Sequence, residues 1–195
     1  MKLIVGLGNP GARYRFSRHN FGFLILDYLA DRHNIPVKKA SFNALVGDGR
    51  IGDTRIILAK PQTYMNLSGS AVQEISAYSR IDALDIIVVH DDLDLPLGTL
   101  RLKIGGGPGG HKGLVSIINR LGTADFIRLR LGIGKPVDRR RMEDYVLEYF
   151  SPEEMALVSQ VTARAGEAIE ETIDSGLQAA MAKYHTKTDI NSEEV

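Results

Sequence analysis

Cysteine is absent from the 195 residues, which excludes a disulfide scaffold, thiolate metal sites and a cysteine nucleophile, and makes a reducing compartment the natural setting. Long apolar runs are missing as well. None approaches the roughly 20 residues that a membrane span needs, and the opening Met1–Gly6 stretch reaches glycine too soon for a secretory leader. A cytoplasmic protein with no membrane partner is expected. Net charge is lacking too, with 24 Lys and Arg against 24 Asp and Glu, yet the balance hides two unlike parts. Residues 1–150 carry 21 basic and 15 acidic side chains, and residues 151–195 carry 3 and 9. A zero total therefore leaves room for a local basic surface against phosphates, beside the simpler reading of solvated charge. Three hydrolase marks are missing: His-Glu-x-x-His, the Gly-x-Ser-x-Gly elbow and Ser-x-x-Lys. Zinc and covalent serine mechanisms thus lack their usual local signatures.

What is present fits one compact domain, since the length and the 44% hydrophobic content support a substantial core. Lys2–Leu7 reads as a buried strand, and Phe21, Leu24, Ile25, Tyr28 and Leu29 fall on one helical face. Ala44–Val46 and Arg55–Ala59 suggest a hairpin around Gly47, Gly49 and Gly52, while Val72, Ile75 and Tyr78 suggest a second helix. Strands are expected at Asp85–Val89, Leu100–Ile104 and Phe126–Leu131, with a helix carrying Leu114, Ile117, Ile118 and Leu121 between the last two. A long helix opens at Ser151-Pro152-Glu153-Glu154, where serine caps, proline suits the first turn and Glu154 bonds back. A short helix should follow Gly176, and residues 186–195 read as a frayed polar tail. The alternation predicts an α/β fold, a mixed twisted sheet with helices on both faces and C-terminal helices, as a single domain over residues 1–185.

Several segments carry chemistry. Gly6-Leu7-Gly8-Asn9-Pro10-Gly11 matches Gly-x-Gly-x-x-Gly after a strand, which raises a dinucleotide site. The context does not follow through: Pro10 occupies the turn, the apolar helix starts eight residues later, and no acidic residue ends a second strand at the required spacing of about 20 residues. Asp91, Asp92 and Asp94 lie at the carboxyl end of a strand, where α/β sheets bind ligands. They suit a hard cation, or a carboxylate that orients an imidazole base. Gly105–Gly110 exposes backbone amides before a helix, the geometry that cradles anions, although no Ser or Thr follows Lys112 as a P-loop requires. Arg101 and Lys103 share one strand face, as do Arg128 and Arg130, so adjacent strands would assemble a phosphate clamp. His19 is flanked by Arg18 and Asn20, unlike a core histidine, though a lone histidine is more often structural.

The segments Gly8-Asn9-Pro10-Gly11, Tyr14, Ser17-Arg18-His19-Asn20-Phe21-Gly22, Lys60 to Gly69, His90 to Pro96 and the Arg101 to Gly113 block together resemble the bacterial peptidyl-tRNA hydrolase family. They follow its order over nearly the whole chain. The resemblance implies hydrolysis of the ester between a peptide and the terminal ribose of tRNA, without cofactor or metal. His19 matches the catalytic base and Asp91 the carboxylate that orients it. Asn9 and Asn66 match asparagines around the reacting carbon, with Tyr14, Asn20, Tyr64 and Met65 contacting substrate. Lys103 and Arg130 match a basic pair for the tRNA 5′-phosphate. The implied partner is the acceptor end of peptidyl-tRNA, acting on a monomer with no obligate protein partner. One position departs from the pattern: Lys112 stands where the family most often has asparagine, so a side chain that only donates replaces one that donates and accepts. It is expected to meet a peptide carbonyl or an RNA phosphate. The alternative to an esterase is a non-catalytic RNA-binding module on the same fold.

Overall fold

A computed structural model describes residues 1–136, 138 and 141–185. The polar tail expected at 186–195 lies outside the described residues. Seven strands, β1 (Lys2–Gly6), β2 (Lys39–Ser41), β3 (Ala44–Ile51), β4 (Thr54–Pro61), β5 (Ile86–Asp92), β6 (Leu100–Ile104) and β7 (Ile127–Gly132), form one sheet. Its order is β2-β3-β4-β1-β5-β7-β6. Pairing is parallel for β4, β1, β5 and β7, and antiparallel for β2 and β3 at one side and for β6 at the other. β1 is paired on both edges and covered on both faces, which is why it reads as an unbroken apolar run.

The two-residue period of the strands sends their side chains into two cores. Leu3 and Val5 join Val72, Ile75, Leu114 and Ile117 from α2 (Ser68–Ser79) and α3 (Lys112–Leu121). Ile4, Ile87 and Leu129 join the opposite core, built from α1 (Phe21–Arg32), α5 (Pro152–Asp174) and α6 (Leu177–Tyr184). α4 (Met142–Leu147) lies against the turn Arg18–Asn20. The capping box expected at Ser151 is present: Glu154 N donates to Ser151 Oγ (3.3 Å) and Ser151 N to Glu154 Oε2 (2.7 Å).

The hairpin differs in one respect from its expected form. Gly47 and Gly49 lie inside β3, and the turn is only Gly52-Asp53. A methyl group on Gly49 would come within 2.5 Å of Ile35, so these glycines let the Ile35-Pro36 segment cross the strand closely.

Two neighbouring parallel strands open the site. β1 runs on toward α1 on one face and β4 toward α2 on the other, so the chain leaves their carboxyl ends in opposite directions. A crevice at such a divergence is where α/β sheets place ligands.

Candidate active site

The glycines after β1 serve packing. A Cβ on Gly6 would meet the Gly22 carbonyl oxygen at 2.4 Å, and one on Gly22 would meet the Val89 oxygen at 2.4 Å, so α1 docks on the strand ends through bare backbone. Residues between them form two 3₁₀ turns, Ala12–Tyr14 and Arg18–Asn20. The glycine loop therefore does not lead straight into a helix, as the dinucleotide reading requires, because both turns come before α1 begins.

That loop is held shut by its own polar groups. Asn20 accepts from Asn9 N (2.8 Å) and donates to Asn9 O (2.9 Å). In place of the substrate contact expected of it, Asn20 is buried and fixes the backbone of Asn9. Asn9 Oδ1 then accepts from Met65 N (3.0 Å), joining the end of β1 to the segment after β4. With its oxygen engaged, the Asn9 amide group is left as a donor toward the cleft that Asn9 lines.

The second turn carries His19. Arg18 N donates to Glu148 O (3.0 Å), and the Arg18 guanidinium makes a two-pronged pair with Glu154 (3.0 and 2.8 Å). Its carbon lies 4.6 Å from the Tyr145 ring centre and 4.9 Å from that of Phe150. The catalytic candidate is thus adjacent to a buried cation tied to both α4 and α5.

His19 Nδ1 lies 2.8 Å from Asp91 Oδ1, and His111 Nε2 lies 3.1 Å from the same oxygen. The proton positions follow from the neighbours. His111 Nδ1 accepts from Gly113 N (3.1 Å) and Leu114 N (3.4 Å) as the N-cap of α3, so its Nε2 bears the proton and donates to Asp91. His19 Nδ1 donates to the carboxylate in turn, which leaves Nε2 as the basic nitrogen. Burial alone would lower the His19 pKa, but the charge and hydrogen bond of Asp91 outweigh it, leaving the pKa above its ordinary value of 6.5. Burial likewise opposes ionisation of Asp91, yet His19 and His111 hold it well below the usual carboxylate range. His90 stands behind them, its Nδ1 on Asp91 O (2.7 Å) and its ring edge-on to His111 at 5.0 Å. Burial and the neighbouring His111 push its pKa down to about 3, so it stays neutral.

His19, Asp91 and His111 bring ligand atoms within 4.8 Å of one another, as a metal site would. The donor set does not suit an ion, because His111 Nε2 carries the proton and has no lone pair to offer. The three aspartates are also dispersed: Asp92 pairs with Arg130 (2.7 Å) and Asp94 with Lys135 (2.5 Å).

Around this centre opens a cleft of about 660 Å³. Asn9, His19, Tyr64, Met65, Asn66, Asp91 and Lys112 line it, seven of the eleven residues that the family resemblance assigned to the site, together with Asp92. Tyr14, Asn20, Lys103 and Arg130 do not. Sequence reasoning passed over His90, His111 and the α4 wall formed by Met142, Glu143, Val146 and Leu147. His90 adjoins Asp91 in sequence, which was a usable signal; a histidine N-cap is not among the usual capping residues and gave none.

The glycine block departs from its expected role. The first amides of α3 go to His111, and the carbonyls of Gly106 and Gly107 accept from the buried Arg128 (2.5 and 2.7 Å), so the loop is strapped to the sheet edge. Lys112 reaches across the cleft mouth to Glu143 Oε1 (2.8 Å), with both side chains exposed. The basic strand faces do meet: Arg101 stands opposite Arg130 and Lys103 opposite Arg128. Burial, followed by the charges of Arg128 and Arg130, lowers the Lys103 pKa.

A buried carboxylate holding an imidazole at the wall of a cleft, with an asparagine donor beside it, is an arrangement suited to general base catalysis, the chemistry of a hydrolase. The sequence matches the peptidyl-tRNA hydrolase family over residues 3–193. It is 50% identical over 188 residues to the peptidyl-tRNA hydrolase of Dehalococcoides mccartyi, covering 95% of this chain and all of the relative. That of Pelobacter propionicus is 47% identical over 187 residues, covering 96% of each. A crystal structure of the Acinetobacter baumannii enzyme superposes with a TM-score of 0.92 at 36% identity over 96% of each chain. The chain belongs to the peptidyl-tRNA hydrolase family.

Proposed function

We propose that the protein hydrolyses the ester between a peptide and the terminal ribose of tRNA, with His19 as the base. The observation that carries this reading is the 2.8 Å bond from His19 Nδ1 to Asp91, which leaves Nε2 free beside Asn9 in the cleft. His19 Nε2 takes a proton from water, and the resulting hydroxide adds to the ester carbonyl. Negative charge moves to the carbonyl oxygen, where the Asn9 and Asn66 amides are available as donors. Collapse breaks the bond to the ribose oxygen, which receives the proton from His19. Asp91 stays ionised throughout, stabilising the imidazolium that forms between the two transfers.

Lys103 and Arg130 would grip the tRNA 5′-phosphate from the edge of the sheet. Such a contact positions the acceptor end without reading sequence, which suits an enzyme that serves every tRNA. Among the described residues no helix is long and apolar enough to cross a membrane, in keeping with an enzyme that meets its substrate in the cytoplasm. The non-catalytic RNA-binding reading is not favoured, because binding alone needs no oriented base.

Turnover of N-acetyl-aminoacyl-tRNA beside the matching free peptide ester tests this function. Rapid cleavage of the first and slow cleavage of the second is expected. Tight tRNA binding without any cleavage would contradict it.

A further inference from the structure

β6 lies at the edge of the sheet and pairs with β7 alone. Its basic face is crowded: Arg101 stands opposite Arg130 and Lys103 opposite Arg128, and like charges directly across a ladder push the strands apart. Asp92 pairs with Arg130, while the Lys103 ammonium is destabilised by burial and then by Arg128 and Arg130. An edge strand that carries such a face needs holding from outside.

The end of α6 supplies the hold. Leu100 and Leu102 turn away from the basic face into the core, where Ala180 and Tyr184 of α6 pack. Directly after Tyr184, His185 comes round the free edge of β6. Its Nε2 accepts from Leu102 N (2.9 Å), an amide that the antiparallel pairing turns away from β7. Its carbonyl accepts from Arg101 Nη1, which also donates to Leu100 O (3.0 Å). Arg101 is thereby engaged with backbone oxygens, and Lys103 is the remaining cation of β6. Burial and the charge of Arg101 lower the His185 pKa, so the ring stays neutral and keeps the lone pair that the Leu102 amide meets.

We propose that His185 is a positioning residue for RNA: by clipping β6 at its free edge, it holds Lys103 at the spacing from Arg130 that one phosphate can bridge. The assignment rests on the reading of Lys103 and Arg130 as the grip on the tRNA 5′-phosphate. It gives the C-terminal helix a part in substrate recognition as well as in the core. β6 stands two strands from β5, which carries Asp91. The clip should therefore act on binding and leave the chemical step alone.

The test measures kcat and KM for N-acetyl-aminoacyl-tRNA together with hydrogen exchange at the Leu102 amide. His185→Ala should raise KM about three- to tenfold, the scale of one lost hydrogen bond, and speed exchange at Leu102 while kcat stays unchanged. His185→Gln, whose amide oxygen accepts in place of the ring, should restore both. Lys103→Gln alone tests the grip: an unaltered KM there removes the clamp and the role of His185 with it. Where Lys103→Gln does raise KM, the double variant decides, because two residues acting on one contact are not additive. His185→Ala should add little to the KM of Lys103→Gln. A full further increase in that background would overturn the positioning role. So would an unchanged KM in His185→Ala, or a kcat that falls as KM rises.

Discussion

His19 and His111 donate to the same oxygen, Asp91 Oδ1, from opposite elements, and their ring centres lie 4.9 Å apart. One ring is held by the turn ahead of α1 and the other by the amides of α3, so the carboxylate cannot rotate without losing a partner. His111 is therefore a positioning residue. A hydrogen bond to a charged group is worth roughly 1.5–3 kcal/mol, and His111→Ala should lower kcat about tenfold or more while KM for N-acetyl-aminoacyl-tRNA changes little. An unchanged kcat would show that His19 alone holds Asp91.

The acid side of the pH profile should report His19. Its Nε2 acts only when unprotonated, so kcat/KM rises with pH through the pKa of the free enzyme, which Asp91 holds above 6.5. Asp91→Asn removes the raising influences and leaves burial, the largest cause and a lowering one. The inflection should move to lower pH even as the plateau rate falls. An inflection that stays in place would assign the titration to another group.

Arg18 should matter for stability and for rate together. Its guanidinium is buried, bound through both nitrogens to Glu154 and flanked by two rings, so Arg18→Ala strands a partly buried carboxylate. A loss of roughly 3 kcal/mol is expected in denaturant unfolding, toward the lower end for a broken buried pair. Arg18→Lys should not restore it, because an ammonium cannot span both oxygens. Full rescue by lysine would mean that charge alone is required.

Lys103 and Arg130 can be tested by salt. If each contacts a phosphate, neutralising either one should weaken tRNA binding and reduce the slope of log Kd against log salt by about one. Unchanged slopes in both variants would remove them from the RNA contact.

Much of the fold was legible because its strongest signals are local. β1 and β5 are short apolar runs, α1, α3 and α5 keep helical spacing, and the Ser151 capping box marks the start of α5. β2 has three residues and α4 has six, too few for periodicity to show. For the site, residue chemistry offered His19 and three aspartates and the family resemblance pointed to Asp91, while the folded chain supplies the physical reason: Asp91 faces two histidines, whereas Asp92 and Asp94 pair with Arg130 and Lys135. The same holds for Asn20. Its motif position suggested a substrate contact, whereas its amide closes on the backbone of Asn9 eleven residues earlier.

The most direct test of the account is single-turnover hydrolysis of N-acetyl-aminoacyl-tRNA by His19→Ala, measured beside its affinity for the same substrate. General base catalysis contributes about 10²–10⁴ in rate, so the variant should lose at least a hundredfold while binding is largely kept. Hydrolysis at the unaltered rate would contradict the assignment of His19 as the base.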